Sequence, residues 1–153
     1  MSGEGLRTRF GSAEESPGLL LWQVTNRWQA AQRAALKPYG LTHVQFVLLA
    51  ALTYLAAEGP VTQKALADQA ATDPMMTSQV LRALEGQGLV RRLPHPHDKR
   101  ARALEVTDEG RALANRAVAA VEACDAAFFA VLGDQGDDAP DGFTRALRAL
   151  AGR

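Results

Sequence analysis

The sequence predicts a mainly α-helical chain with one small β-wing, a winged helix-turn-helix flanked by an N-terminal and a C-terminal helix. Three observations carry this. Ala and Leu dominate while alternating runs of Val and Ile are almost absent, so intrinsic preference lies with helix. Two short capped helical patterns, over 62–70 and from 72 or 73 to Gly86, are separated by two or three residues, and so short a link forces a sharp crossing. Two short extended runs, 89–93 and 101–106, then flank a loop dense in Pro, His and Arg. The stretch 72–107, TDPMMTSQVLRALEGQGLVRRLPHPHDKRARALEVT, is what the rest of the chain is organised around.

Length and composition bound the alternatives. At 153 residues the chain can build one domain with a real core, not two ordinary ones. Its apolar share of 47% argues against wholesale disorder. No run of 18 apolar residues suggests a membrane span, and the polar, Gly/Ser-rich start has no apolar signal core. One cysteine, Cys124, excludes an intrachain disulfide and fits the cytosol. The net charge is zero but unevenly spread. From Arg82 to Arg102 six bases (Arg82, Arg91, Arg92, Lys99, Arg100, Arg102) stand against Glu85 and Asp98. From Glu122 to Asp141 six acids (Glu122, Asp125, Asp134, Asp137, Asp138, Asp141) occur with no base. Such a chain can offer one face to a polyanion while the other repels it, or simply carry a solvated charged surface.

In order, residues 1–15 read as a flexible tail and 16–153 as one domain. Ser16-Pro17 offers an N-cap followed by proline at the first helical position. Leu21, Val24, Trp28, Ala31 and Ala35 then form one apolar stripe, which Leu19, Leu20 and Trp22 widen beyond one core face. Such a helix usually has a partner. Pro38 and Gly40 end the segment. Thr42 and Gln45 have the spacing of a capping box, and Val44, Val47, Leu48, Ala51, Leu52 and Leu55 give the next helix a broad buried face to near Gly59-Pro60. Val61 adds one or two residues of strand, and Thr62 caps a short helix through Ala70. Thr72 or Asp73 caps the following helix, with Pro74 in its first turn. There Thr77, Val80, Leu81 and Leu84 pack inward, leaving Met75, Met76, Ser78, Gln79, Arg82 and Ala83 outward. Gly86 and Gly88 close it, Gly88 at the left-handed position. Leu104 and Val106 face inward from the wing by the two-residue period. Thr107-Asp108-Glu109 starts a long helix with stripe Leu113, Ala117, Val121, Cys124 and Phe128, with Ala120 and Val131 alongside. GDQGDDAPDG reads as a loop, and Pro140 or Asp141 opens a terminal helix bearing Phe143, Leu147 and Leu150.

Over residues 17–151 this order of elements resembles the MarR family of bacterial transcription regulators. Four features carry the resemblance: Leu66-Ala67; the run Leu84-Glu85-Gly86-Gln87-Gly88-Leu89-Val90-Arg91-Arg92; Asp98-Lys99-Arg100 in the wing; and Val106-Thr107-Asp108-Glu109-Gly110. The resemblance implies a cytoplasmic homodimer, with dimerisation helices at about 16–37 and 107–152 around a winged helix-turn-helix at about 42–107. It implies that the second short helix enters the major groove of double-stranded DNA and the wing reaches the flanking minor groove. A repressor of this kind reads a pseudo-palindromic operator, its half-sites about one helical turn apart.

Chemistry fits that placement. Gln79 and Arg82 can bond base edges, Gln to adenine and Arg to guanine. Ser78 and Thr72 suit phosphate contacts, and the helix N-terminus itself favours a phosphate. Met75 and Met76 replace the small polar residues common in the family, and either touch thymine methyls or fill core. Asp98-Lys99-Arg100 matches the family's D-x-R, in which the Asp orients an Arg drawn by the negative potential of a narrow minor groove. Thr62, Pro74, Arg92 and Lys99 complete the expected DNA-facing set. An effector pocket, if present, falls between the dimerisation helices and the winged unit, where Trp22, His43 and Phe46 line it or serve as core.

Other chemistry is not expected. His95-Pro96-His97-Asp98 has the outward form of a metal motif, but Lys99 and Arg100 crowd it with cations, and no metal or cofactor is expected. Cys124, mid-stripe, reads as a small core residue rather than a thiol sensor. No nucleophile–base–acid grouping or phosphate-cradling Gly loop suggests an enzyme. The alternative to a DNA-binding regulator is a winged-helix module that binds protein, since fold does not dictate function.

Overall fold

Each helix of the central unit starts on a side-chain cap. The computed structural model describes residues 5–135 and 139–153. Helix α1, Pro17–Leu36, starts where Ser16 Oγ accepts from the Leu19 N–H at 3.3 Å, and it ends through a 3₁₀ turn, Lys37–Tyr39, at Gly40 with φ +67°. Helix α2, His43–Ala56, carries the full capping box: Thr42 Oγ1 accepts from Gln45 N–H and Gln45 Oε1 accepts from Thr42 N–H. Thr62 caps α3, Gln63–Ala70, through Ala65 N–H at 3.1 Å. Asp73, not Thr72, caps α4, Pro74–Gly86, accepting from Met76 N–H at 2.8 Å. Each such cap contributes about 1 kcal/mol. Between α3 and α4, Ala71 sits at φ +53°, a left-handed turn that fits a three-residue link.

Strand β1, Val90–Pro94, pairs antiparallel with β2, Arg102–Val106, with Val90 opposite Val106 and Arg92 opposite Leu104. Val61 adds the expected extra bridge: its carbonyl accepts from Leu104 N–H at 2.7 Å. The wing is thus stitched to the segment just before α3. The core gathers around α2, where Leu48, Leu49 and Leu52 meet Leu36, Leu66, Leu81, Leu84, Val90 and Leu104. Burying each such leucine stabilises the fold by about 1.5–3 kcal/mol.

The long helix α5, Asp108–Phe129, packs on α1 and α2. Its deepest residues are Gly110, Ala114, Ala117 and Val121, while Leu113, Cys124 and Phe128 are half-buried and Val131 is exposed. The inner face is therefore turned slightly from the expected stripe. At Gly110 an added Cβ would run into the Leu89 carbonyl and lie 3.0 Å from Val106 Cγ2. Only glycine lets the first turn of α5 lie this close to the wing.

In α1 the stripe also differs from expectation. Gln32 and Leu36 are buried and Trp28 half-buried, but Leu21 and Val24 are exposed together with Leu19, Leu20 and Trp22. The inward face follows α5 and begins near Trp28, so the first turns lie open in a single chain. The terminal helix α6, Ala139–Leu150, likewise exposes Leu147 and Leu150. It opens at Ala139, one residue before the expected start, after a 3₁₀ segment, Ala130–Gln135. Of the expected acidic run, Asp137 and Asp138 lie outside the described residues, as do the first four residues of the tail. Among the described residues no single helix is long and apolar enough to cross a membrane.

Replacing Gly110 with Ala should therefore destabilise the fold by about 1–3 kcal/mol, the usual cost of overpacking. Urea unfolding measures it, and an unchanged midpoint would show that α5 does not depend on this approach.

Candidate nucleic-acid interface

The inward face of α4 decides what its outward face presents. Thr77, Leu81 and Leu84 are buried and Val80 packs against the core. Met75 (72% exposed), Met76 (43%), Gln79, Arg82 and Ala83 therefore point to solvent, with Ser78 half-buried beside them. Both methionines are exposed, so neither fills core. Arg82 Nη2 donates to Ser78 Oγ at 3.1 Å one turn back, which holds the guanidinium along the helix. Pro74 is exposed in the first turn.

Two hydroxyls of the expected DNA-facing set differ in what they can offer. Thr62 Oγ1 spends a lone pair on its cap and keeps its proton for an outside acceptor. Thr77 donates to the Asp73 carbonyl at 2.8 Å, which leaves Thr72 as the donor in the 2.7 Å contact between their hydroxyls. With its proton turned inward, Thr72 secures the start of α4 and has none for a phosphate.

Arg92 is committed within the chain. Its Nε is paired with Glu85 Oε1 at the end of α4, with both side chains mostly buried, so it ties wing to helix. Arg91 pairs across the strands with Glu105 at 3.3 Å. Among the described residues Lys99, Arg100 and Arg102 are exposed and have no carboxylate partner. The open cations are thus Arg82 on α4 and these three on the wing. Asp98 acts on Arg100 through the backbone: its Oδ1 accepts the Arg100 N–H at 2.9 Å and leaves the guanidinium free to extend.

The three residues expected to line an effector pocket do not converge. Trp22 is 69% exposed on the open part of α1, Phe46 is 6% exposed within the core, and His43 is half-buried elsewhere. What meets His43 is a cluster that sequence reasoning missed. The Trp28 ring stands edge-on to the His43 ring at 5.0 Å. Asp125 Oδ1 accepts from Trp28 Nε1 at 2.8 Å and from Gln32 Nε2 at 2.6 Å. Gln32 is 0% exposed and its Oε1 has no hydrogen-bond partner. The signal was present, since Gln32 falls one turn after Trp28 and Asp125 one turn after Val121, each a polar residue on an inward face. Two surface clefts lie elsewhere. One of ≈ 420 Å³ is lined by Ala56, Pro60, Leu93, Ala103 and Arg111, and one of ≈ 220 Å³ by Leu55, Glu58, Val61 and Ala65.

Burial favours the neutral forms of His43 and of the neighbouring Cys124. Burial holds the His43 imidazole below its usual value, against a smaller upward pull from Asp125, and Arg33 adds to the lowering. Burial first, and Asp125 second, push the Cys124 thiol up, which opposes the thiolate that a redox sensor needs. Among the described residues no three His, Cys, Asp or Glu side chains group as a metal site requires.

Comparison with known proteins gives the following. The model described as the MarR family matches residues 41–101. The chain is 45% identical over 124 residues to the uncharacterized HTH-type transcriptional regulator YdcH of Bacillus subtilis (strain 168), covering 80% of this chain and 84% of that protein. It is 39% identical to the HTH-type transcriptional repressor Rv2887 of Mycobacterium tuberculosis, over 80% of this chain and 87% of that one. The crystal structure of Rv2887 in complex with DNA superposes with a TM-score of 0.65 at 34% identity, covering 88% of this chain and 97% of that chain. CouR from Rhodococcus jostii RHA1, solved bound to p-coumaroyl-CoA, superposes with a TM-score of 0.78 at 28% identity, covering 93% of this chain and 96% of that chain.

The buried imidazole makes stability pH-dependent in a defined direction. Because His43 binds its proton more weakly folded than unfolded, stability is complete above the unfolded value of 6.5 and falls as pH drops from there through the lowered folded value. His43→Gln should remove this part of the acid-side loss in urea midpoints measured from neutral pH downward. An identical acid limb in both proteins would contradict the buried, neutral assignment.

Proposed function

The chain belongs to the MarR family, and from that premise we propose that it acts in the cytoplasm as a dimeric repressor, released from its operator by a small-molecule effector. It is a DNA-binding transcriptional regulator built on a winged helix-turn-helix. The observation that carries the reading is the division of α4: a face sealed into the core, and a face where Gln79 and Arg82 stand exposed beside a wing whose Lys99, Arg100 and Arg102 have no carboxylate partner. A helix fits the major groove, where Gln and Arg read base edges, and an unpaired Arg suits the minor groove. The relative Rv2887, solved with DNA, supports the same use of this fold.

The dimer reading rests on apolar surface. Leu19, Leu20, Leu21, Trp22 and Val24 on α1, with Leu147 and Leu150 on α6, lie exposed in one chain. In this reading α1 and the helices after residue 107 are the dimerisation helices, and a second copy covers these side chains. Effector control is supported by the Trp28–Gln32–His43–Asp125 cluster, where α1, α2 and α5 meet, and by ligand-bound CouR. A ligand there would present a hydrogen-bond donor to Gln32 Oε1 and a flat face to Trp28. The relatives are named as regulators, and we assign this chain no reaction.

Fluorescence anisotropy with duplexes from the chain's own upstream DNA tests the DNA contacts. Arg82→Ala should cost about 1–3 kcal/mol of discrimination between operator and scrambled duplex. Arg100→Ala should weaken binding to every duplex alike and reduce the salt slope by about one charge. Unchanged affinity for both variants would favour a protein-binding module instead. Sedimentation tests the dimer: the wild type should run as a dimer, and Trp22→Glu combined with Leu20→Glu should give a folded monomer with much weaker DNA binding. A monomeric wild type would overturn that part.

A further inference from the structure

The wing tip carries two histidines whose rings meet edge-on at 6.1 Å, and the two are not equivalent. His97 is exposed, whereas His95 is half-buried at the end of β1. Nδ1 of His95 accepts two backbone N–H groups, those of His97 and Asp98, each at 3.1 Å. Nδ1 is thus the accepting nitrogen of the ring, turned toward the loop backbone. Acceptor at one residue and donors two and three residues on is the arrangement by which Asn or Asp holds a tight turn. Pro96 supplies no N–H, so the first amides His95 can take are those at 97 and 98.

Asp98 passes this restraint on. Its N–H is held by His95, its Oδ1 takes the Arg100 N–H at 2.9 Å, and its carbonyl takes the Ala101 N–H at 3.3 Å. The Ala101 carbonyl then accepts the His95 N–H at 3.3 Å. The loop is a closed circuit of hydrogen bonds that begins and ends on His95, with Arg100 at its far side.

We infer that His95 is a positioning residue for DNA binding: its imidazole fixes Asp98, and through Asp98 the backbone from which Arg100 reaches the duplex. This rests on the DNA-binding reading above. His95 touches no base in this account, and its effect is carried entirely by Arg100.

The test uses the full chain with His95→Ala, His95→Asn, Arg100→Ala and the double variant His95→Ala/Arg100→Ala. Two readouts are taken: anisotropy on the upstream duplex, and amide exchange without DNA. His95→Ala should weaken duplex binding about fivefold, the scale of a lost hydrogen bond or two. His95→Asn, whose Oδ1 stands near the place of Nδ1, should recover the affinity to within about twofold. In the Arg100→Ala background, removing His95 should change the affinity by less than about twofold, because the two act as one unit. Exchange at His97 and Asp98 should quicken in His95→Ala and not in His95→Asn. The inference is overturned if His95→Ala costs the same with and without Arg100, if His95→Asn fails to recover, or if exchange does not move. A wild type that does not prefer its duplex removes the DNA-binding reading and this inference with it; exchange, measured without DNA, separates that failure from a misassigned loop.

Discussion

At the Leu89 carbonyl, three parts of the molecule that must keep register are tied together. It accepts the Thr107 N–H at 3.0 Å, and the Leu89 N–H is itself held by the Leu84 carbonyl at the end of α4, also at 3.0 Å. Thr107 caps α5 through the Gly110 N–H and donates its hydroxyl to the Gly88 carbonyl at 2.7 Å. Gly88, at φ +74°, lets the chain reverse out of α4 into the wing, and Gly110 lets α5 press against the same carbonyl. The helix that reads, the wing that anchors and the helix that carries the dimer in the proposed assembly thus share one small knot of backbone. In the proposed dimer this knot links the position of α5 to the end of α4, and so to the spacing of the two α4 helices.

A second constraint is how polar groups are spent. Around the α4–wing surface, Thr72, Thr77, Glu85, Arg91, Arg92 and Glu105 are committed to one another or to the backbone. The groups left open are Gln79 and Arg82 on the helix and Lys99, Arg100 and Arg102 on the wing. A charge already paired gains little from a phosphate, because the exchange of one carboxylate for another anion nearly cancels. The open basic surface is therefore smaller than the basic composition of the stretch suggests.

Much of this was legible in the sequence because it is local. Thr42 with Gln45, Thr62, Thr107 and Gly88 act within a few residues of themselves, so spacing alone reveals them. The inward set of α4 followed from helical period, and the Val61 bridge from its place before a cap. What was not legible depends on choices made by packing. The first helix has apolar residues on more than one side, and only its seat on α5 decides that Gln32 and Leu36 go in while Leu21 stays out. Arg92 looks like any wing cation until the turn brings it to Glu85. Phe46 could have served core or cleft, and the core took it. Gln32 and Asp125 lie 93 residues apart, so their hydrogen bond had no local trace beyond a polar residue on each inward face.

In the proposed dimer, two copies of the α4–wing surface engage one duplex at a fixed spacing. Hydroxyl-radical footprinting of the full chain on its own upstream DNA tests this most directly. Two equivalent protected tracts related by two-fold symmetry are expected, their centres about 10–10.5 bp apart or a multiple of it, flanked by minor-groove protection from the wings. A lone tract, or protection spread evenly along the duplex, would contradict it.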